Sequence, residues 1–245
     1  MKWQSTIVVL LLCLGTFVWA QNDQSSSANQ NAVSTAGSSE LQQATDVVEH
    51  MSATAPDKGV PKQVLEGAKC VAVIPKLVKG AFVVGGEHGT GVATCRTSTN
   101  SWSAPAPFSV SGISWGPQIG GKSSDLLMFI MNDQGMNDLI MNDLIAGHIK
   151  VGADVSAAAG PVGRQASVEG GWEAGILTYS GSKGAFIGAS LNGAELHQDG
   201  KATRAWYGKD VPFKDILQGN TQMPNEQARA FVNAVQNAKE TAQMH

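Results

Sequence analysis

Gly80-Ala81-Phe82-Val83-Val84-Gly85-Gly86 opens the stretch that decides the fold. Gly152-Ala153-Asp154-Val155-Ser156-Ala157-Ala158-Ala159-Gly160-Pro161-Val162-Gly163-Arg164 stands at its centre. Both lie in a glycine-studded segment running from Ala68 to Gly208. Short apolar runs rich in valine read as strands, and a glycine inside a strand marks a bulge, a tight bend or a close backbone approach. So dense a set of glycines predicts a strongly curved sheet or a barrel. Working outward, Cys70-Val71-Ala72-Val73-Ile74 reads as a buried strand. Ala81 to Gly86 and Thr90 to Arg96 read as a hairpin joined by Glu87-His88-Gly89, and Trp102-Ser103-Ala104-Pro105 as a break. Phe108 to Trp115, Asp125 to Met131, Val151 to Ala159, Ala174 to Tyr179 and Ala185 to Leu191 read as further strands, with a short one at Arg204 to Tyr207.

Helical periodicity frames this core. Leu41, Ala44, Val48 and Met51 recur at three- and four-residue steps, an amphipathic helix from Glu40 to Met51 whose polar face is acidic. Pro61 opens a second short helix carrying Val64, Leu65 and Ala68. Met136 to Ile145 and Phe213 to Leu217 read as helical. Met-Asn-Asp at 131, 136 and 141 reads as a local duplication. Asn225 to Lys239 is the clearest helix, with Ala228, Phe231, Val232, Val235 and Ala238 on one face. The expectation is a single α+β domain over 40–245: a curved, mainly antiparallel sheet or barrel with flanking helices.

The N-terminal part reads differently. Residues 1–20 combine Lys2, an apolar run from Ile7 to Val18 and a small Ala20, the pattern of an export signal. Residues 21–39, made of Gln, Asn, Ser and Ala, read as a disordered linker. The expected location is therefore periplasmic or secreted. In an oxidising compartment, Cys70 and Cys95 are read as a disulfide between neighbouring strands, the alternative being two buried thiols.

Charge narrows the partners. The chain has 17 Lys+Arg against 20 Asp+Glu; without Lys2 the balance is 16 against 20, or −4. Nucleic-acid binding needs a basic surface and is not expected. The five histidines, His50, His88, His148, His197 and His245, share no metal spacing, so neither metal nor cofactor is expected.

Two motifs imitate chemistry. Gly116-Pro117-Gln118-Ile119-Gly120-Gly121-Lys122-Ser123 fits a phosphate loop. That motif needs a helix behind it, and Leu126 to Met131 reads as a strand. No nucleotide is expected. Ser180-Gly181-Ser182-Lys183 fits the serine–lysine pattern of acyl-transfer enzymes, which requires one helix face, yet it sits in a turn between strands. A serine hydrolase is the weakest alternative, and the aspartates at 125, 133, 138, 143 and 154 read as turn or cap residues. Lys76, Lys79, Lys122, Arg164 and Lys183 fall in or beside glycine turns, where backbone N–H groups and a cation together hold phosphate.

Several ordered blocks resemble the SYLF family. They include Ala68 to Pro75, Lys79 to Gly86, Trp102 to Pro105 and Gly116 to Gly120. Asp125 to Asn132, Gly152 to Arg164, Tyr179 to Gly184, Gly188 to Gly193 and Ala205 to Gly208 follow in order. The resemblance covers about 59–219, some two-thirds of the chain. It implies a non-enzymatic phospholipid-binding module; eukaryotic relatives bind phosphoinositides, and some fungal ones bind and bundle actin. Here Gly181 stands where the family often has a basic residue, and the N-terminal helix is acidic where eukaryotic relatives are basic. The expected partner is a phospholipid or membrane surface; a structural module that binds an envelope protein is the alternative.

Overall fold

The computed structural model describes the backbone of residues 23–55, 57–136, 149–151, 156–162, 174–182, 185–189, 191 and 193–244. Its centre is one hairpin. Strand β1 (Cys70–Cys95) and strand β2 (Ala106–Ile130) pair antiparallel from Ala93↔Ala106 to Cys70↔Ile130. The turn joining them lies at 97–101, where the Thr97 carbonyl accepts from the Asn100 N–H and Asn100 takes φ 61°. Asparagine tolerates that left-handed conformation, which suits a tight turn.

The hairpin then doubles over. A straight strand of this length would span about 85 Å at ~3.3 Å per residue, yet the Cα atoms of Cys70 and Cys95 stand 4.0 Å apart, joined by a disulfide. Register shifts between Ile74 and Leu77 and between Phe82 and Val84 supply the bends. Bulges sharpen local twist and let a strand turn a corner. Gly91 lets the two limbs of β1 meet, since a Cβ there would stand 2.6 Å from the Val73 carbonyl oxygen.

Five short strands complete the sheet: β3 (Ile149–Lys150), β4 (Ala157–Ala159), β5 (Ile176–Ser182), β6 (Ala185–Gly188) and β7 (Ala194–Gln198). β5 and β7 pair antiparallel with β2, β6 with β5 and β3 with β7, while β4 runs parallel to β5. The result is a curled mixed sheet forming a half-barrel, as the α+β reading expects.

Alternation along the strands gives each face its own core. Val71, Val73, Leu127, Phe129, Leu177 and Tyr179 face α1 (Asp23–Ala53), α2 (Lys62–Gly67) and α5 (Glu226–Met244). Here Leu41, Val48 and Phe231 are fully buried. Ala72, Ile74, Phe108, Leu126, Met128 and Leu196 form the other core, closed by Phe213, Ile216 and Leu217 of α4 (Phe213–Leu217).

Four local readings differ from the sequence expectation. Glu87-His88-Gly89 is no turn but mid-strand, opposite Gly112, Ser111 and Val110. Phe108 to Trp115 and, up to Ile130, the run expected from Asp125 to Met131 belong to one strand, β2. Arg204 to Tyr207 is the end of helix α3 (Gly200–Tyr207), started by the Asp199 side chain accepting from the Ala202 N–H and ended at Gly208 with φ 71°. Such a cap and left-handed stop are strong helix signals. Finally, α1 begins at Asp23, within the stretch read as a linker. Residues 1–20 and, apart from Met136, the expected helix from Met136 to Ile145 lie outside the described residues.

Candidate functional site

The bend nearest the open end of the hairpin gathers three of the five basic candidates. Lys76 sits in the register shift after Ile74, with φ 60°, and its N–H donates to Asp125 Oδ1 at 3.2 Å. That bond holds a conformation few non-glycine residues adopt. Lys79 stands directly across from Lys122 in the β1–β2 register, and Val78 across from Ser123. Val78 is 52% exposed, unusual for a valine in a packed sheet, and Lys76 is exposed beside it.

Lys79 is not a free cation. Its Nζ lies 2.7 Å from Glu87 Oε2, and the Glu87 side chain is only 7% exposed. Glu87 lies over Gly112, where a Cβ would come within 2.9 Å of Oε1. The pair spans the two limbs of β1, eight residues apart along the strand. No local pattern announces such a contact, because it exists only once the hairpin has doubled. Glu87 and Asp125 therefore temper the positive charge of this corner, although Lys76 still projects into solvent. Arg164 and Lys183 lie outside the described residues, as does the side chain of Lys122.

The imitation motifs resolve on backbone grounds. Gly116-Pro117-Gln118 spans the second register shift, where Phe82 pairs with Ile119 and Val84 with Trp115. A bulge is where a strand tolerates proline. The following residues continue as strand to Ile130, so no helix N-terminus faces a phosphate. Ser180 lies within β5, between Leu126 and Ile187 in register, and not on a helix. Tryptophan suits a membrane interface, but Trp102 and Trp206 are 9% and 7% exposed. Trp102 donates to Gln236 Oε1 at 3.0 Å under the Arg96 guanidinium, whose carbon is 4.4 Å from the ring centre. The side chain of Trp115 is outside the described residues.

A cavity lined by Ala72, Phe108, Met128, Leu196 and Phe213 holds about 10 Å³, space for one water and none for an acyl chain. Among the described residues no group of three or more His, Cys, Asp or Glu is placed to hold a metal ion, and no helix is long and apolar enough to cross a membrane.

Residues 111–238 match the family model described as Ysc84, Las17-binding protein actin regulator. The chain belongs to the Ysc84 (SYLF) family. It is 31% identical over 181 residues to human SH3 domain-containing YSC84-like protein 1, covering 73% of this chain and 52% of that protein. It is 34% identical over 172 residues to LAS seventeen-binding protein 3 of Saccharomyces cerevisiae, and 32% over 172 residues to Protein YSC84 of the same yeast. Each yeast match covers 69% of this chain. The chain thus spans about half the length of the human relative and 36% of each yeast one. No solved structure matches. The matched segment includes most of β2, the short strands and most of α5, while α1, α2 and β1 precede it.

Proposed function

We propose that this Ysc84-family protein is a non-enzymatic phospholipid-binding protein, exported to the cell envelope or beyond, that meets a lipid surface with the bent corner of its hairpin. The observation that carries the reading is Val78: an exposed apolar side chain between Lys76 and Lys79 in sequence, and opposite Ser123, the neighbour of Lys122. An apolar tip among cations suits the boundary between acyl chains and anionic headgroups. A lysine near such a surface contributes about 1 kcal/mol, and half-burying a valine about 1 kcal/mol more. With Lys79 held by Glu87, Lys76, Lys122 and Val78 then give about 3 kcal/mol, a contact weaker than ~1 mM for one copy. Arg164 and Lys183 belong to the same proposed set. The strand setting of Ser180 and the actin-regulator description of the family support a role without catalysis.

Co-sedimentation with vesicles of phosphatidylserine and of phosphatidylcholine tests this reading. Binding to the anionic vesicles alone, weakened at high salt and lost in Lys76→Glu/Lys122→Glu and in Val78→Asp, is the expected result. Those substitutions leave the Lys79–Glu87 pair in place. Binding that survives both variants refutes the corner as the contact. The second reading is a protein-interaction module of the envelope, favoured by the family description and by the name of one yeast relative, LAS seventeen-binding protein 3. A stoichiometric envelope partner captured by a chain that ignores both vesicle types would establish it.

A further inference from the structure

Where α1 meets β1 and α3, one carboxyl is at odds with its surroundings. Glu40 Oε1 is buried and finds no hydrogen-bond partner among the described residues, and neither does Nε1 of Trp206 on α3. Gly37 lies one helical turn before Glu40 on the same face of α1. It packs on the Trp206 indole so closely that a Cβ there would stand 2.2 Å from Nε1. From β1, the Thr90 hydroxyl is the hydrogen-bond partner of the carboxyl; the charge that bears on it is Asp199, the N-cap of α3.

Of the other ionisable groups of these elements, Glu87 of β1 is buried but paired with Lys79, and Tyr207 of α3 donates to the Pro105 carbonyl. Asp46 and Glu49 of α1, His88 of β1, Lys201 and Arg204 of α3, and Glu226, Arg229 and Glu240 of α5 are all exposed. Glu40 thus has a like charge for a neighbour and no cation among the groups that bear on it. A buried carboxylate without a cation costs far more than a buried carboxylic acid.

We propose that α1 is a pH-gated clasp: it stays seated on β1 and α3 while Glu40 is protonated, and loosens when Glu40 ionises at neutral to mildly alkaline pH. Loosening uncovers the apolar stripe of Leu41, Ala44, Val48 and Met51, all buried in the seated state. The electrostatics agree with the geometry. Burial pushes the Glu40 carboxyl from the ordinary 4.5 up to about 7, the Thr90 hydrogen bond opposes that rise, and Asp199 adds to it. Because the seated state holds the proton more tightly, seating is strongest below the ordinary value. It is lost as pH rises through the seated one, and levels off above it. Between pH 5 and pH 8 the two titrations weaken seating by roughly 70-fold.

Hydrogen exchange on the full chain tests the clasp, comparing wild type with Glu40→Gln at matched pH so that intrinsic exchange rates cancel. At pH 5 the α1 amides of residues 41–51 should differ little between the two proteins. At pH 8 the variant should be protected tens of times more strongly, while the β2 amides of 126–130 stay unchanged in both. A protection ratio that is the same at both pH values overturns the proposal. So does a pH-dependent loss shared by β2, which would mean unfolding of the whole domain. Thr90→Val removes the hydroxyl that favours the ionised form, and should widen the difference between pH 5 and pH 8 in α1. If it leaves that difference untouched, Glu40 is not the sensor.

Discussion

Breaking the Cys70–Cys95 bridge tests the doubled hairpin directly. The bridge joins residues 25 apart in sequence, at the two ends of one strand. In the chain-entropy account, closing a loop of that length in the unfolded state is worth about 3.5 kcal/mol at 25 °C. For a domain of this size each kcal/mol moves the thermal midpoint by about 2–4 °C, so loss of the bridge should lower it by about 7–14 °C. Both cysteines are fully buried. The comparison therefore needs protein reduced while denatured and refolded in reductant, followed by circular dichroism across a thermal ramp. Cys70→Ala/Cys95→Ala should melt at or below the reduced wild type, because it also loses two packed sulfur atoms. Before reduction, a thiol count in denaturant should find Cys70 and Cys95 unreactive. A midpoint shift under about 3 °C, or two free thiols in the native protein, would mean the limbs of β1 do not meet as described.

Three further outcomes follow from single contacts. Gly91→Val forces side-chain atoms into the Val73 carbonyl and the Phe108 ring, and should cost about 1–3 kcal/mol or more in urea unfolding. Tyr179→Phe removes the hydroxyl that donates to the Pro161 carbonyl at 2.9 Å. A loss of about 1 kcal/mol is expected in the same assay, with faster amide exchange in β4. Asp199→Ala deletes the α3 cap, about 1 kcal/mol against stability. It also removes the like charge beside Glu40, so its penalty should shrink as pH rises from 5 to 8.

Local pattern carried the sequence reading only so far. Val71, Val73 and Val92 are β-branched residues in apolar runs, and they are buried strand residues in the fold. The α5 stripe of Ala228, Phe231, Val235 and Ala238 is buried as its spacing predicts. What misled was glycine. Gly89 read as part of a turn, but the glycines with positive φ among the described residues are Gly193, Gly208 and Gly219. Gly89 and Gly91 serve contact between limbs far apart along the strand, which a local window does not contain. The same non-locality hides Glu87 as the partner of Lys79. The α3 helix is a different case, because Asp199 and Gly208 bracket it in plain view. The stretch read as a linker has no apolar periodicity to mark a helix, and its backbone is nonetheless helical from Asp23, continuous with the packed part of α1 from Leu41 to Met51.

The turn at 97–101 lies only a few residues from the first β1–β2 rung, Ala93↔Ala106, and the last rung is Cys70↔Ile130. Assembly can thus proceed as a zipper, each rung closing a loop little longer than the one before, with small entropic cost per step. Only the doubling asks distant groups to find each other, and it brings two sulfur atoms together. Disulfide formation during refolding is then a clock for that event. Oxidised molecules have bent their ribbon, and those still carrying thiols have merely zipped it.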